Sequence, residues 1–205
     1  MRRRLIWRTV LALGLSGFAF ASAAKPVTVG IPTSQFNFVA ATQMQTEWCW
    51  AASVQMILNW YNVPVKQSDV VNRIYHKTVD TAATEDAITV ALSGTAYDRR
   101  GRKVWLHGER RRGTPTANEL MSELSLRHPM LLTVHSTPRM LHAVVVTSVE
   151  TIESDRGRTI TGITFRDPKP ILRGRHTAGT IRVSGPELTR FLRSISSYYL
   201  VSIKS

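Results

Sequence analysis

The chain contains a single cysteine, Cys49, whose surroundings suit nucleophilic chemistry. Apolar residues occupy nearly every position from Trp48 to Tyr61, a pattern that predicts a helix buried on almost all sides. Cys49 falls in the first turn of this helix. There the helix dipole and the unpaired backbone N–H groups favour the thiolate, which is the nucleophilic form of cysteine.

Simple packing is the alternative interpretation of Cys49, because a free cysteine is commonly buried as a small apolar residue. A nucleophilic thiol needs a base within hydrogen-bonding reach, a group that orients the base, and donors for the oxyanion of the intermediate. A catalytic Cys49 therefore requires suitable partners elsewhere in the chain.

Two predicted strands place polar residues in line with apolar ones. His142 shares a strand face with Val144 and Val146, and Asp167 ends a strand directly before Pro168. A hydrogen-bonded core histidine and an ordinary Asp-Pro turn would explain each residue separately. One arrangement explains both: a central helix presents the thiolate, one strand presents the base, and the next strand holds the group that fixes its tautomer.

The periodicity changes along the chain from helical to alternating, which predicts the α+β class. Residues 25–42 are expected to be extended and irregular. The predicted helices are the Cys49 helix, Ser68–Ile74, Thr84–Ser93, Thr114–Leu126 and Pro186–Leu192. The predicted strands of an antiparallel sheet are Met130–Val134, His142–Val149, Thr159–Phe165, Ile181–Ser184 and Tyr198–Ile203.

These residues together resemble a known superfamily. The residues that show the resemblance are Gln43 six positions before Cys49, Trp50 directly after it, the small pair Ala51 and Ala52, His142-Ala143, and Asp167. They are similar to the papain-like cysteine protease superfamily, and most of all to compact secreted or effector proteases of plant-associated bacteria and to bacteriocin leader-peptide proteases. The resemblance implies a two-lobed papain-like fold, with a helical lobe built around the cysteine helix and an antiparallel sheet lobe.

The resemblance also implies a role for each matching residue. Cys49 would be the nucleophile, His142 the base and then the acid, and Asp167 the group that orients His142. The Gln43 side chain and the Cys49 backbone N–H would form the oxyanion hole, since a neutral amide can donate to an oxyanion without competing for the imidazole proton.

Several residues depart from the superfamily pattern. Thr46 stands where plant and lysosomal enzymes have a second cysteine, and Asp167 replaces the asparagine of papain. Glu47 stands where a smaller residue is usual, and we expect its carboxylate to point to solvent because a charge facing the thiol would disfavour the thiolate.

Other histidines are weaker candidates for the base. His135 is the main rival of His142, but it lies in a turn-like context beside Pro138. The remaining histidines have polar or arginine-rich surroundings, and no histidine pair has metal-ligand spacing with nearby carboxylates. We therefore expect neither a metal nor a cofactor. These remaining histidines are His76, His107, His128 and His176.

The amino terminus resembles an export signal. Arginines at positions 2–4 and 8 precede an apolar run over Thr9–Phe20 and small residues over Ala21–Ala24. An uncleaved anchor is the alternative. We expect residues 1–24 to be removed, leaving residues 25–205 as one monomeric domain without a transmembrane segment, in the periplasm or secreted. Within it, the sequence predicts a helical lobe over about 40–97, a basic connector over 98–113 and a sheet lobe over about 114–205.

The net charge is +13 for the whole chain, and residues 1–24 contribute four arginines and no acid, leaving +9. The predicted connector contains a cluster of basic residues. Its members are Arg99, Arg100, Arg102, Lys103, Arg110, Arg111 and Arg112. A solvated loop or hairpin is one interpretation of this cluster, and a site for an acidic partner or anionic surface is another. Nucleic acid is disfavoured by the predicted export, although Trp105 lies among the charges.

The leading functional hypothesis is a secreted papain-like cysteine protease that hydrolyses protein or peptide substrates through a thioester acyl-enzyme. A glutamine deamidase or transamidase is the first alternative, because the same Cys-His-Asp triad could act on a side-chain amide. A non-enzymatic binding module that uses the basic segment is the second alternative.

Overall fold

The computed structural model describes residues 25–169 and 179–204. The predicted export signal over residues 1–24 and His176 lie outside the described residues. Six helices and eight strands are present in the described part of the chain. The helices are α1 (Thr33–Phe36), α2 (Cys49–Trp60), α3 (Gln67–Tyr75), α4 (Glu85–Ala91), α5 (Ala117–Ser125) and α6 (Gly185–Ser194). The strands are β1 (Val27–Gly30), β2 (Gly94–Tyr97), β3 (Lys103–Arg112), β4 (Met130–Thr137), β5 (Met140–Ser154), β6 (Gly157–Asp167), β7 (Gly179–Ser184) and β8 (Ile195–Lys204).

All strands belong to one antiparallel sheet with the order β2-β3-β8-β4-β5-β6-β7. The long strand β5 pairs with β4 through its first half, and β1 pairs with its second half, where Val29 lies opposite Val149. The predicted α+β class with an antiparallel sheet is confirmed.

Helix α2 is buried because its sequence is apolar on nearly every side. It contacts β4 and β5 on one side and α3 and α4 on the other. Leu131 of β4 and Val145 of β5 belong to the same core cluster as Ala51 and Val54 of the helix. Sheet and helices therefore enclose most of α2, and Cys49 at its amino-terminal end is only half-buried.

The opposite face of the central strands is covered by α5 and α6. Leu120 and Leu188 of these helices are buried in a second core cluster. The Phe165 ring of β6 stacks on Phe191 of α6 at 4.7 Å. Burial of both sheet faces fixes the register of β5 and β6, because a slip by one residue would exchange the two sets of apolar side chains.

The first segment is more ordered than the sequence predicts. Residues 25–42 contain β1 and α1 rather than an irregular extension. The basic segment lies in a hairpin, one of the arrangements that the sequence allows, and its strand β3 pairs with β2 on one side and with β8 on the other. The sheet therefore includes β1, β2 and β3, which all precede residue 114.

No helix among residues 25–169 and 179–204 is long and apolar enough to cross a bilayer.

Candidate active site

Cys49 is the first residue of α2 and is half-buried. The turn before it is held from outside by a strap formed by residues 79–81. The Asp80 carboxylate accepts the backbone N–H groups of Thr46 at 3.3 Å and Glu47 at 2.8 Å. The indoles of Trp48 and Trp50 donate to the carbonyl groups on either side of Asp80, at 2.8 and 3.1 Å. This strap fixes both the start of the helix and the turn that precedes it.

Ser53 connects the cysteine helix to the histidine strand. Its buried hydroxyl donates to the carbonyl of Ala143 at 3.2 Å. Ser53 lies one helical turn after Cys49, and Ala143 directly follows His142. The hydrogen bond therefore sets the position of the thiol along the strand that presents the imidazole.

His142 and Asp167 form a short hydrogen-bonded pair. His142 Nε2 and Asp167 Oδ1 are 2.7 Å apart, and both side chains are mostly buried, with exposed fractions of 17% and 23%. The same Asp167 oxygen accepts the backbone N–H of Lys169 at 2.8 Å, which orients the carboxylate. Because Nε2 is bonded to Asp167, the second ring nitrogen, Nδ1, is the one available to Cys49.

The surroundings of His142 favour its protonated form. Burial lowers the pKa of His142, but hydrogen bonding with Asp167 and with Cys49, together with their negative charges, raises it to about 9. Burial likewise raises the pKa of Asp167, but His142 and the Lys169 N–H bring it below its ordinary value. At neutral pH the pair is therefore an imidazolium beside a carboxylate, the arrangement that stabilises a neighbouring thiolate.

Gln43 lies in the same cleft as Cys49, but its amide is already hydrogen-bonded. Its Nε2 donates to the carbonyl of Gln45 at 2.9 Å and to that of Thr46 at 2.7 Å. The Gln43 backbone N–H donates to the Pro168 carbonyl at 2.8 Å, which ties this turn to the end of β6 next to Asp167. To serve an oxyanion, the amide must exchange one of its two bonds for the substrate oxygen.

A cleft of about 760 Å³ brings the predicted site residues together. It is lined by Gln43, Cys49, His142 and Asp167 and, around them, by Met44, Gln45, Thr46, Glu47, Ser136, Met140, Leu141 and Lys169. A small cavity of about 30 Å³ adjoins it and shares Cys49 in its wall.

Glu47 is half-buried and belongs to the lining of both the cleft and the small cavity. Its backbone N–H donates to the Asp80 carboxylate at 2.8 Å, which fixes the main chain two residues before the thiol.

The other histidines that the structure describes lie apart from the cleft lining. His135 is exposed at the end of β4, and His76 and His107 are exposed as well. His128 Nδ1 is hydrogen-bonded to the Glu123 carboxylate at 3.1 Å. Within the described ranges, no three side chains of His, Cys, Asp or Glu form a group that could hold a metal ion.

Sequence reasoning missed Ser53 and Asp80. Ser53 interrupts an otherwise apolar run at four residues after the cysteine, which is a detectable signal of a buried polar contact. Asp80 gives no comparable signal, because its importance depends on a contact with residues more than thirty positions away.

A thiol at the start of a buried helix, next to an imidazole–carboxylate pair at the ends of two antiparallel strands, defines the papain-like class of cysteine proteases. A family model named Peptidase_C70, described as papain-like cysteine protease AvrRpt2, matches residues 32–181. The chain belongs to this family. No curated protein matches the chain significantly.

Two solved peptidases are similar to this structure. The peptidase domain of Streptococcus ComA, a bifunctional ABC transporter involved in a quorum-sensing pathway, has a TM-score of 0.52 at 15% identity, covering 81% of this chain and 97% of that domain. A double-glycine-motif protease from an AMS/PCAT transporter, solved with a leader peptide, has a TM-score of 0.47 at 16% identity, covering 89% of this chain and 96% of that one. The likeness to the ComA domain shows that the fold is papain-like.

Proposed function

We propose that this papain-like cysteine protease hydrolyses peptide bonds through a thioester, with Cys49 as nucleophile, His142 as proton carrier and Asp167 as its orienting group. The observation that supports this proposal best is the 2.7 Å bond between His142 Nε2 and Asp167, which leaves Nδ1 for the thiol. The interaction of the ring with Cys49, one of the causes of its raised pKa, agrees with this arrangement.

The proposed reaction has two steps. The Cys49 thiolate attacks the substrate carbonyl carbon, and the resulting oxyanion is held by the Cys49 backbone N–H and the Gln43 amide. The imidazolium of His142 then gives its proton to the leaving amine, and a thioester forms. In the second step neutral His142 takes a proton from water, the hydroxide attacks the thioester, and the acid is released as the thiolate reforms.

We infer that the two cavities lie on opposite sides of the scissile bond. His142 protonates the leaving amine, so the leaving segment must lie beside the imidazole. The wall of the large cleft contains both Cys49 and His142. The wall of the small cavity contains Cys49 but not His142. The large cleft would therefore take the leaving segment, and the small cavity would face the acyl segment.

The experiment that tests this proposal uses the purified protein and a mixed peptide library. Wild-type protein should produce new termini detectable by mass spectrometry, and Cys49→Ala and His142→Ala should each abolish them while still unfolding in one cooperative thermal transition. Retained cleavage by Cys49→Ala would refute the mechanism. A one-dalton increase without chain cleavage would instead identify a deamidase, and a crosslink would identify a transamidase.

Export remains part of the proposal and depends on the sequence of residues 1–24 alone. Expression with and without this segment, followed by amino-terminal sequencing of the exported protein, should show processing near Ala24. Retention of both forms inside the cell would exclude export by this segment.

A further inference from the structure

One end of the sheet has an exposed face that is both aromatic and basic. On β3, Val104 and Leu106 point into the core, whereas Lys103 and Trp105 point outward. Tyr97 of β2 lies opposite Lys103 and is 61% exposed, and Trp105 is 55% exposed. We call the outward side chains of these strands and of the end of β8 the basic aromatic face. Its members are Thr95, Tyr97, Lys103, Trp105, His107, Ser202 and Lys204.

The charged members of this face, Lys103 and Lys204, are both positive. Glu109, the next outward residue of β3, is paired with Arg111 at 2.7 Å. None of its members is acidic, Lys204 lies opposite Trp105, and Lys103 Nζ lies 4.8 Å from the Trp105 ring centroid. The exposed residues Arg99 and Arg100 follow Tyr97 in the adjoining turn. The cations therefore flank the two aromatic rings on the same side of the sheet.

Other basic residues of the segment are occupied by acids of this chain. Arg102 pairs with Asp98 at 2.7 Å. Arg110 reaches Asp86 at 3.0 Å and Arg111 reaches Glu119 at 2.8 Å. The attraction for an external anion is therefore concentrated at the hairpin end of β2 and β3, where the basic aromatic face lies.

We propose that the basic aromatic face binds the surface of a membrane that contains anionic phospholipid. Tryptophan and tyrosine favour the interface between headgroups and acyl chains because each has an apolar ring and a polar end. Lysine and arginine beside them attract anionic headgroups, at about 1 kcal/mol for each cation near the surface. Because the face is formed by extended strands, it matches a planar surface. The predicted export would bring the protein to a membrane surface of this kind.

The test measures flotation of the full-length protein with vesicles of equal parts phosphatidylglycerol and phosphatidylcholine, and with vesicles of phosphatidylcholine alone. Wild-type protein should bind the mixed vesicles more strongly, with an affinity that falls as salt increases. The double variant Lys103→Gln with Lys204→Gln should lose about tenfold or more of this affinity, and Trp105→Ala should weaken binding to both vesicles. Residues 1–24 are the same in all variants, so their own membrane affinity cancels in the comparison.

A charge-matched control is Lys77→Gln with Arg156→Gln, which removes two exposed cations from other surfaces. Equal loss of binding in this control would overturn the proposal, because it would show attraction by net charge alone. The proposal would also be overturned if a single-stranded oligonucleotide bound more tightly than the mixed vesicles and lost its affinity in Trp105→Ala, since base stacking on an aromatic ring would then explain the face.

A second inference concerns Asp80 and rests on the proposed function. Asp80 is exposed and distant in sequence, yet its carboxylate holds the backbone of Thr46 and Glu47 from one side, while the Gln43 amide bonds the Thr46 carbonyl from the other. The geometry points to Asp80 as a positioning residue for the oxyanion hole. It keeps the turn closed so that the Gln43 amide and the Cys49 N–H converge on one point.

Loss of Asp80 should reduce the stabilisation of the transition state more than it reduces formation of the Cys49 thiolate. We expect Asp80→Ala to lower kcat about tenfold or more with a smaller change in KM, because a misplaced oxyanion donor acts only in the transition state. Asp80→Asn retains one acceptor oxygen and should recover part of the loss. The rate of Cys49 alkylation by iodoacetamide should stay within about twofold of wild type, since the thiolate–imidazolium pair remains.

The outcomes separate this inference from the proposed function. Absence of peptide cleavage by the wild type would refute the proposed function. Cleavage by the wild type with an unchanged kcat in Asp80→Ala would refute the positioning role only. A parallel fall in kcat and alkylation rate would show that Asp80 acts through general structure, and this too would contradict the inference.

Discussion

The Ser53 hydroxyl donates a 3.2 Å hydrogen bond to the carbonyl of Ala143, the residue that follows His142. Ser53 lies four residues after Cys49 and therefore faces the same side of α2. The nucleophile and the base thus belong to two elements that a side-chain hydrogen bond joins one helical turn below the reacting atoms. This relationship explains why a polar residue is present in the middle of an apolar helix.

Substitution Ser53→Ala should impair both stability and activity. The variant leaves the buried Ala143 carbonyl without its side-chain donor, so we expect unfolding free energy to fall by about 1–3 kcal/mol. Small displacement of the thiol from the imidazole should reduce kcat/KM about tenfold. Urea denaturation and steady-state kinetics measure the two effects. The matched control is Ser125→Ala, whose exposed hydroxyl donates to a carbonyl within its own helix, α5; a loss of activity there as well would contradict the role assigned to Ser53.

Substitution Asp167→Asn should move the alkaline limit of activity to lower pH. The folded pKa of His142 is about 9, above its ordinary value, so the imidazolium persists at neutral pH and is lost as pH rises through about 9. Asparagine removes the negative charge that helps to hold the proton, and the pKa of His142 should fall. The alkaline limb of the kcat/KM profile should therefore shift downward. An unshifted limb would show that Asp167 does not set the protonation of His142.

The same pair makes folding stability depend on pH. Because the pKa of His142 is raised, its contribution is fully present below about pH 6.5 and is lost as pH rises through about 9. Because the pKa of Asp167 is lowered, its contribution is present above its ordinary value and is lost on acidification. The difference in melting temperature between wild type and Asp167→Asn should therefore be largest at mildly acidic pH and should narrow toward pH 10. A difference that does not vary with pH would contradict this coupling.

Sequence patterns predicted those parts of the molecule in which local periodicity and burial agree. Helix α2 is apolar on nearly every side and is buried as expected. The alternation of β5 and β6 fixed their pairing and placed His142 and Asp167 at neighbouring strand ends. In β6, the buried residues Ile163 and Phe165 alternate with Thr164 and Arg166, so its hydrophobic pattern leaves one register.

Features that depend on contacts distant in sequence were missed. The basic segment contains only two apolar inward positions, Val104 and Leu106, and the charges around them hide a strand that pairs with β2 and β8. Its arginines become part of the fold through acids on other elements, such as Glu119 of α5. The hold of Asp80 on the turn before Cys49 joins residues more than thirty positions apart, which no local pattern indicates.

Substitution of Gln43 tests the oxyanion hole. Gln43→Ala should lower kcat on the order of a hundredfold, the usual cost of losing one such donor. Gln43→Glu should be at least as impaired, because an ionised carboxylate can only accept hydrogen bonds and would repel the oxyanion. The exposed neighbour Gln45 supplies the control, since Gln45→Ala keeps the backbone carbonyl that Gln43 bonds. Activity of Gln43→Ala close to that of Gln45→Ala would exclude the Gln43 amide from catalysis.

Glu85 should stabilise the fold in a manner that depends on pH, because it links α4 to the sheet behind the small cavity. Its Oε1 accepts the hydroxyls of Thr133 at 2.9 Å and Ser196 at 3.1 Å.

Burial raises the pKa of Glu85, but these hydroxyl bonds and the charge of Arg110 lower it below its ordinary value. Its stabilisation is therefore present above about pH 4.5 and disappears as pH falls through the lowered pKa. Glu85→Ala removes the oxygen that accepts these hydroxyls, so it should lose about 1–3 kcal/mol of unfolding free energy at pH 7 and less once pH falls below the lowered pKa of Glu85, as measured by urea denaturation. Asp86 also pairs with Arg110, at 3.0 Å, but is 86% exposed, so Asp86→Asn should change stability by less than about 1 kcal/mol. Equal losses in the two variants would show that the ion pair with Arg110, rather than the buried hydroxyl bonds of Glu85, accounts for the stabilisation.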